Sequence, residues 1–192
     1  MKPKFIVLEG IDGSGKSLVA KELRDYLELN GIKARVTAEP TKGIIGELVA
    51  KNDCFPPEVE ALLFTADRAL HTIEIKSWMN EGYTVISDRY VGSVLAYQSA
   101  AGVDIEWIKM MNSKVTIKPD FTFWLDINPE ISFKRISTRN DKGDRFESFS
   151  YQKRVREAYL KLVKEYDYIK IDAARPLEEV IKKITFIISE GI

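Results

Sequence analysis

Apolar positions along the chain fall into two rhythms. Short, largely apolar runs occupy residues 5–8, 35–38, 83–87, 121–127 and 168–171. Runs of that length bounded by turn residues read as buried strands. Between them the apolar residues recur every three or four positions. Across residues 18–29, Val19, Leu23, Tyr26 and Leu27 share one helical face, and Gly31 stands where a C-terminal cap belongs. A longer helical region follows Pro56-Pro57 and runs to Asn80, where Glu81-Gly82 ends it. Pro129 opens a helix reaching about Arg139, residues 149–166 return to helical spacing, and Pro176 opens a last helix. Residues 140–144 carry turn chemistry and read as a mobile loop. Strands alternating with helices predict an α/β fold, with a parallel five-stranded sheet covered by helices on both faces. No repeat, low-complexity tract or linker interrupts the 192 residues, so one domain over 1–192 is expected.

One segment carries chemistry by itself. Gly10-Ile11-Asp12-Gly13-Ser14-Gly15-Lys16-Ser17 is a full G-x4-G-K-S pattern, lying between the first strand and the first helix. Glycines there let the backbone turn tightly and aim N–H groups at phosphate oxygens, at a helix N-terminus that already favours anions. Lys16 is expected to reach the β- and γ-phosphates of a nucleotide, and the Ser17 hydroxyl to hold Mg²⁺. The Asn-Lys-x-Asp motif by which GTPases read guanine is absent. A nucleotide cradle alone leaves kinase, ATPase and switch protein open.

Composition narrows the partners. Lys plus Arg equals Asp plus Glu at 29 each, so no global field recruits nucleic acid or an anionic membrane, and useful positive charge must be local. One cysteine, Cys54, precludes an intramolecular disulfide. The opening Met1-Lys2-Pro3-Lys4 and its short apolar run do not make a signal peptide, and no stretch approaches the ~20 apolar residues of a membrane helix. A cytoplasmic protein is expected.

Three further segments follow in order: Glu39-Pro40-Thr41, then 62–68 ending in Phe64-Thr65-Ala66-Asp67-Arg68, then Asp88-Arg89-Tyr90 with Ser93 and Ala96-Tyr97-Gln98. Together with Glu9-Gly10-Ile11-Asp12-Gly13 and the lysine-serine pair, they resemble the thymidylate kinase family over nearly the whole chain. The resemblance implies a three-layer P-loop NTPase fold with a small helical lid at about 135–148, ATP and Mg²⁺ as co-substrate and cofactor, dTMP as acceptor, and a homodimer.

It also implies roles. Residues 10 and 12–18, including Leu18, together with Arg135, would bind ATP, with Ser17 and Asp88 on the metal. Arg89 would grip the acceptor phosphate, with Asp88 organising metal and acceptor; Lys16 acts on the donor. Asp12 would accept from the 3′-hydroxyl, and Tyr97 would pack against C2′ and exclude a ribose hydroxyl. Phe64 would stack on thymine and Arg68 bond its O4; Glu39, Pro40, Ser93 and Gln98 complete the acceptor set. Arg139 and Arg145 join Arg135 as the lid arginines that neutralise the moving phosphoryl group.

Physical sense attends each assignment. Phe64 and Arg68 are four apart on a predicted helix, so both project from one face, although a core phenylalanine beside a surface arginine would look alike. Asp88-Arg89 ends an apolar strand, at the sheet edge where ligands gather, although a structural ion pair is the alternative. Glu9 reads as a metal-water ligand or a buried strand-end acid, and Lys42 as local charge or a solvated lysine. His71 and Cys54 receive no catalytic role. Two departures from the family pattern stand out. Val94 replaces a Thr or Asn that can contact the base, leaving a different or broader monophosphate kinase (dUMP, UMP, AMP) as the alternative. Ser14 stands where one branch has an arginine, which moves catalytic charge to the lid.

Overall fold

The computed structural model describes residues 2–51, 55–137 and 148–190. Strands β1 (Phe5–Glu9), β2 (Ala34–Ala38), β3 (Thr84–Asp88), β4 (Phe121–Asp126) and β5 (Tyr168–Asp172) form one sheet in the order β2-β3-β1-β4-β5, every pair parallel. The helices among the described residues are α1 (Lys16–Leu29), α2 (Ile44–Ala50), α3 (Pro57–Asn80), α4 (Val91–Ala100), α5 (Ile105–Asn112), α6 (Pro129–Ser137), α7 (Phe149–Glu165) and α8 (Leu177–Glu190). None of them is long and apolar enough to cross a membrane.

The sheet's pleat sorts the core. Phe5 and Val7 of β1 pack with Val85, Tyr90 and Ile75 of α3. Ile6, Leu8 and Ile86 join a larger cluster with Val19, Leu23 and Leu27 of α1 and Ile184 and Ile188 of α8. Both faces are covered, as the unbroken apolar runs require. The five expected strands and the long helices occur within a residue or two of their predicted limits. Helices α2, α4 and α5 were not legible. In α4, every residue from Gly92 to Gln98 is buried, so no polar face exists to reveal a helical period. The short α2 is docked tightly instead: a Cβ on Gly46 would lie 2.1 Å from the Thr41 carbonyl oxygen, so only glycine permits the approach.

The strand order places the chemistry. β1 lies between β3 and β4, and Leu8 is in register with Asp88. The phosphate loop after β1 and the Asp88-Arg89 step after β3 therefore leave the sheet side by side. That carboxyl edge is where open α/β sheets bind ligands.

Candidate active site

Gly15 adopts φ 93° at the N-cap of α1, a left-handed conformation that an L side chain resists, and it turns the loop so that Lys16 and Ser17 start the helix. Lys16 is buried, and its Nζ donates to the carbonyl oxygens of Gly10 at 3.1 Å and Ile11 at 3.0 Å. Burial first, then the neighbouring Arg89 charge, lower its pKa to about 8 against the pull of Asp88, Asp12 and Glu9. Leu18 follows half-exposed on α1. The Ser17 hydroxyl donates to Asp88 Oδ2 at 2.5 Å, while the other oxygen, Oδ1, is buried with no hydrogen-bond partner among the described residues. A hydroxyl and a half-paired carboxylate are hard oxygen donors of the kind Mg²⁺ takes.

Although adjacent in the chain, Asp88 and Arg89 serve different places. Arg89 takes a left-handed φ of 74°, held by its N–H to Leu8 O at 2.9 Å and by Ser87 Oγ donating to its carbonyl at 2.7 Å. That turn carries the guanidinium away from Asp88 and pairs it with Asp12. It also donates to Ser93 Oγ at 3.1 Å and lies over the Tyr97 ring, 4.9 Å from its centroid. Asp88 and Arg89 therefore do not pair with each other; the ion pair that Arg89 makes is with Asp12. Tyr97 Oη donates to Asp12 Oδ2 at 2.9 Å. Burial would raise the Asp12 pKa, but Arg89, Lys16 and the bonds from Tyr97 and Gln152 outweigh it and hold the carboxyl below its ordinary value.

Beside this cluster opens a cavity of about 280 Å³. All nine residues expected on the acceptor side line it, with Val49 and Ala50 of α2, Tyr90 and Val94 completing the wall. Arg68 is no surface arginine. It is 1% exposed, and its two terminal nitrogens go to Glu39 and, at 2.7 Å, to Asn112 Oδ1. Its Nε is left buried without a hydrogen-bond partner among the described residues. Gln98 is likewise buried; its amide nitrogen donates to Glu60 Oε2 at 3.3 Å, and its Oε1 has no hydrogen-bond partner among the described residues. Glu39, joined to Pro40 by a cis peptide bond, also bonds His71 Nδ1 at 2.9 Å, and His71 Nε2 pairs with Thr37 Oγ1 at 2.7 Å. His71 is thus a buried brace behind Arg68.

Glu9 resolves as the buried strand-end acid. Its two oxygens accept from Tyr90 N at 3.0 Å, Ser93 Oγ at 2.6 Å and Tyr159 Oη at 2.9 Å beneath α4. Burial raises its pKa, against those hydroxyl donors. Lys42 is exposed and lines a separate groove by α2. Arg135 on α6 donates to Ala173 O at 3.1 Å, beside the turn that leads from β5 into α8. Arg139, Arg145, Cys54 and most of the expected lid, 138–147, lie outside the described residues.

Sequence reasoning missed four members of the network. Asn112 closes α5 on Arg68, and Glu60 stands behind Gln98. Gln152 of α7 spans Asp12, accepting from its N–H at 3.3 Å and donating to Oδ2 at 3.1 Å. Tyr151 beside it donates to the Tyr97 carbonyl at 2.6 Å. None lies in a chemical motif; the helical spacing around Glu60, Tyr151 and Gln152 was legible, that around Asn112 was not.

Comparison with known proteins agrees with the geometry. A sequence model of the thymidylate kinase family matches residues 8–184. A probable thymidylate kinase of Pyrobaculum calidifontis is 43% identical, the alignment covering 98% of this chain and 97% of that protein. One of Staphylothermus marinus is 40% identical over 98% and 96%, and one of Thermococcus kodakarensis 41% identical over 96% of each.

Proposed function

The chain belongs to the thymidylate kinase family of phosphotransferases, and on that premise we propose that it carries the γ-phosphoryl group of ATP to the 5′-phosphate of dTMP, releasing ADP and dTDP. One observation supports the base most directly. Two residues that line the cavity each keep a buried group with no hydrogen-bond partner among the described residues, the donor Nε of Arg68 and the acceptor Oε1 of Gln98. Thymine's edge offers the complement, O4 as acceptor and N3–H as donor. Cytosine offers the reverse and would leave both buried groups unpaired, a costly mismatch. Phe64, half-buried on the same wall, supplies an aromatic face for the ring. Gln98 thus supplies a base-reading group where Val94 has none.

The rest of the site follows the same logic. Arg89 binds the acceptor phosphate bidentately, and Asp12 accepts from the 3′-hydroxyl. The Tyr97 ring leaves no polar partner for a 2′-hydroxyl. Residues 10–17 wrap the donor phosphates, with Lys16 on the β- and γ-groups. Ser17 and Asp88 hold Mg²⁺, which neutralises phosphate charge when bound. Arg135, with Arg139 and Arg145 beyond it in sequence, supplies charge to the moving phosphoryl group.

Coupled ADP release with ATP and Mg²⁺ tests this reading across dTMP, dUMP, dCMP, 5-methyl-dCMP, UMP and AMP. Stimulation chiefly by dTMP is expected. Uracil shares thymine's edge and lacks only the methyl group, so dUMP should trail by about 10- to 200-fold in kcat/KM. Phe64→Ala should raise the KM for dTMP and leave that for ATP unchanged. A higher kcat/KM for UMP than for dTMP, or acceptor-independent ADP release, would defeat the assignment.

A homodimer is part of the same proposal. Val59, Leu62, Leu70 and Ile73 lie exposed along one stripe of α3, a face suited to a second copy. Light scattering should give twice the 21.9 kDa chain mass, and Leu70→Glu should return it to that of one chain.

A further inference from the structure

We propose that Glu60 fixes the side-chain amide of Gln98 in its accepting orientation and so writes the base preference from behind the cavity wall. This rests on the base-reading role given to Gln98 above. Glu60 is 1% exposed on α3 and does not line the cavity, so it acts through Gln98 as a positioning residue. An amide can present either end to a ligand, and the two ends read opposite bases. With Oε1 toward the cavity, Gln98 accepts from an imide N–H. With Nε2 toward it, Gln98 donates to the bare N3 of cytosine.

The choice is made by what stands on the far side. Glu60 Oε2 stands here as an acceptor, which an amide nitrogen can answer and an amide oxygen cannot. Gln98 Nε2 donates to Glu60 Oε2 at 3.3 Å, and turning the amide over would set two oxygens against each other at that separation. Both side chains are buried, so water cannot readily relieve the clash. Gln98 Oε1 is left as the end without a partner among the described residues, as the assignment requires. Arg68 is arranged similarly, with its terminal nitrogens occupied by Glu39 and Asn112 and Nε left without a partner among the described residues.

Glu60→Gln is the decisive change, because it keeps size and shape while giving the rear partner a donor as well as an acceptor. Either orientation of Gln98 then has a match. The readout is the ratio of kcat/KM for dTMP to that for 5-methyl-dCMP, which carries the same methyl group on the opposite hydrogen-bonding edge. The ratio should fall by about tenfold or more, largely because kcat/KM for 5-methyl-dCMP rises, with the KM for ATP unchanged. A merely structural role would lower both substrates together, and that result, or an unchanged ratio, would overturn the proposal. Should the variant not fold, Glu60→Asp withdraws the acceptor by one methylene and must lower the same ratio. Gln98→Ala separates the two claims. If it leaves the ratio intact, the base-reading assignment itself fails. If it collapses the ratio while folded Glu60→Gln does not, only the role of Glu60 fails.

Discussion

Arg89→Ala is expected to lower kcat by about 10³-fold or more while leaving the Kd for ATP nearly unchanged. Phosphoryl transfer gives the protein little covalent work, so positioning and charge neutralisation carry the rate. Arg89 is the guanidinium that the fold aims between the phosphate loop and the acceptor cavity, and it is aimed from both ends. Its backbone is held at φ 74° by Leu8 and Ser87, a conformation that a branched or bulky side chain adopts only at a cost. Its side chain is braced by Ser93, which is itself tied to Glu9 beneath α4. Alanine removes the forked donor and leaves Asp12 without its ion-pair partner. The low Asp12 pKa depends partly on that charge, so the variant should also lose part of the stability that Asp12 confers at neutral pH. A depressed carboxylate pKa stabilises the fold above its unfolded value and loses that contribution as pH falls. Steady-state kinetics with dTMP, ATP binding by calorimetry and a melting curve separate the effects. Unaltered turnover in a folded variant would remove Arg89 from the acceptor site.

How much of this was legible in the sequence depends on separation along the chain. The phosphate loop and the Asp88 to Gln98 segment are contiguous, and adjacency makes them readable as motifs. The five strands were readable because buried parallel strands are short and apolar throughout. The parts that tune the site were not. Asn112 meets Arg68 across 44 residues, Gln152 meets Asp12 across 140, and Glu60 meets Gln98 across 38. Each is an ordinary polar residue on a helix until packing supplies its partner. Helix α4 was silent for the opposite reason. Being buried on all sides, it reads as an apolar stretch of no fixed period, although it carries Ser93, Tyr97 and Gln98 into the site. Glu9 was ambiguous because the sequence shows a charge at a strand end but not the three donors that α4 and α7 bring to it.

Lys16 sets the second large effect, and pH exposes it. Lys16→Ala should lower kcat/KM for ATP by about 10²–10³-fold, because a preorganised charge at the donor phosphates is lost. In the wild type, the same charge is already marginal in the free enzyme. Burial first, then repulsion by Arg89, bring the ammonium down to about pH 8, against the opposing pull of Asp88, Asp12 and Glu9. Because kcat/KM reports the free enzyme, it should hold level from pH 7 to about 8 and then fall about tenfold per unit. The bound phosphates favour the charged form, so kcat should stay flat over that window. Lys16→Arg keeps the charge at all these pH values, and although slower it should lose the inflection. If the inflection persists in that variant, another group titrates there. Stability supplies an independent sign. Between about pH 8 and the ordinary lysine value of 10.5, the unfolded chain binds the proton that the folded one has released. The Lys16 contribution to stability therefore rises with pH through the same range in which ATP capture fails. A loss of activity above pH 8 that tracked general unfolding would run the other way. Opposed trends in melting temperature and kcat/KM would place the titrating proton on a buried lysine that the fold holds under strain until phosphate arrives.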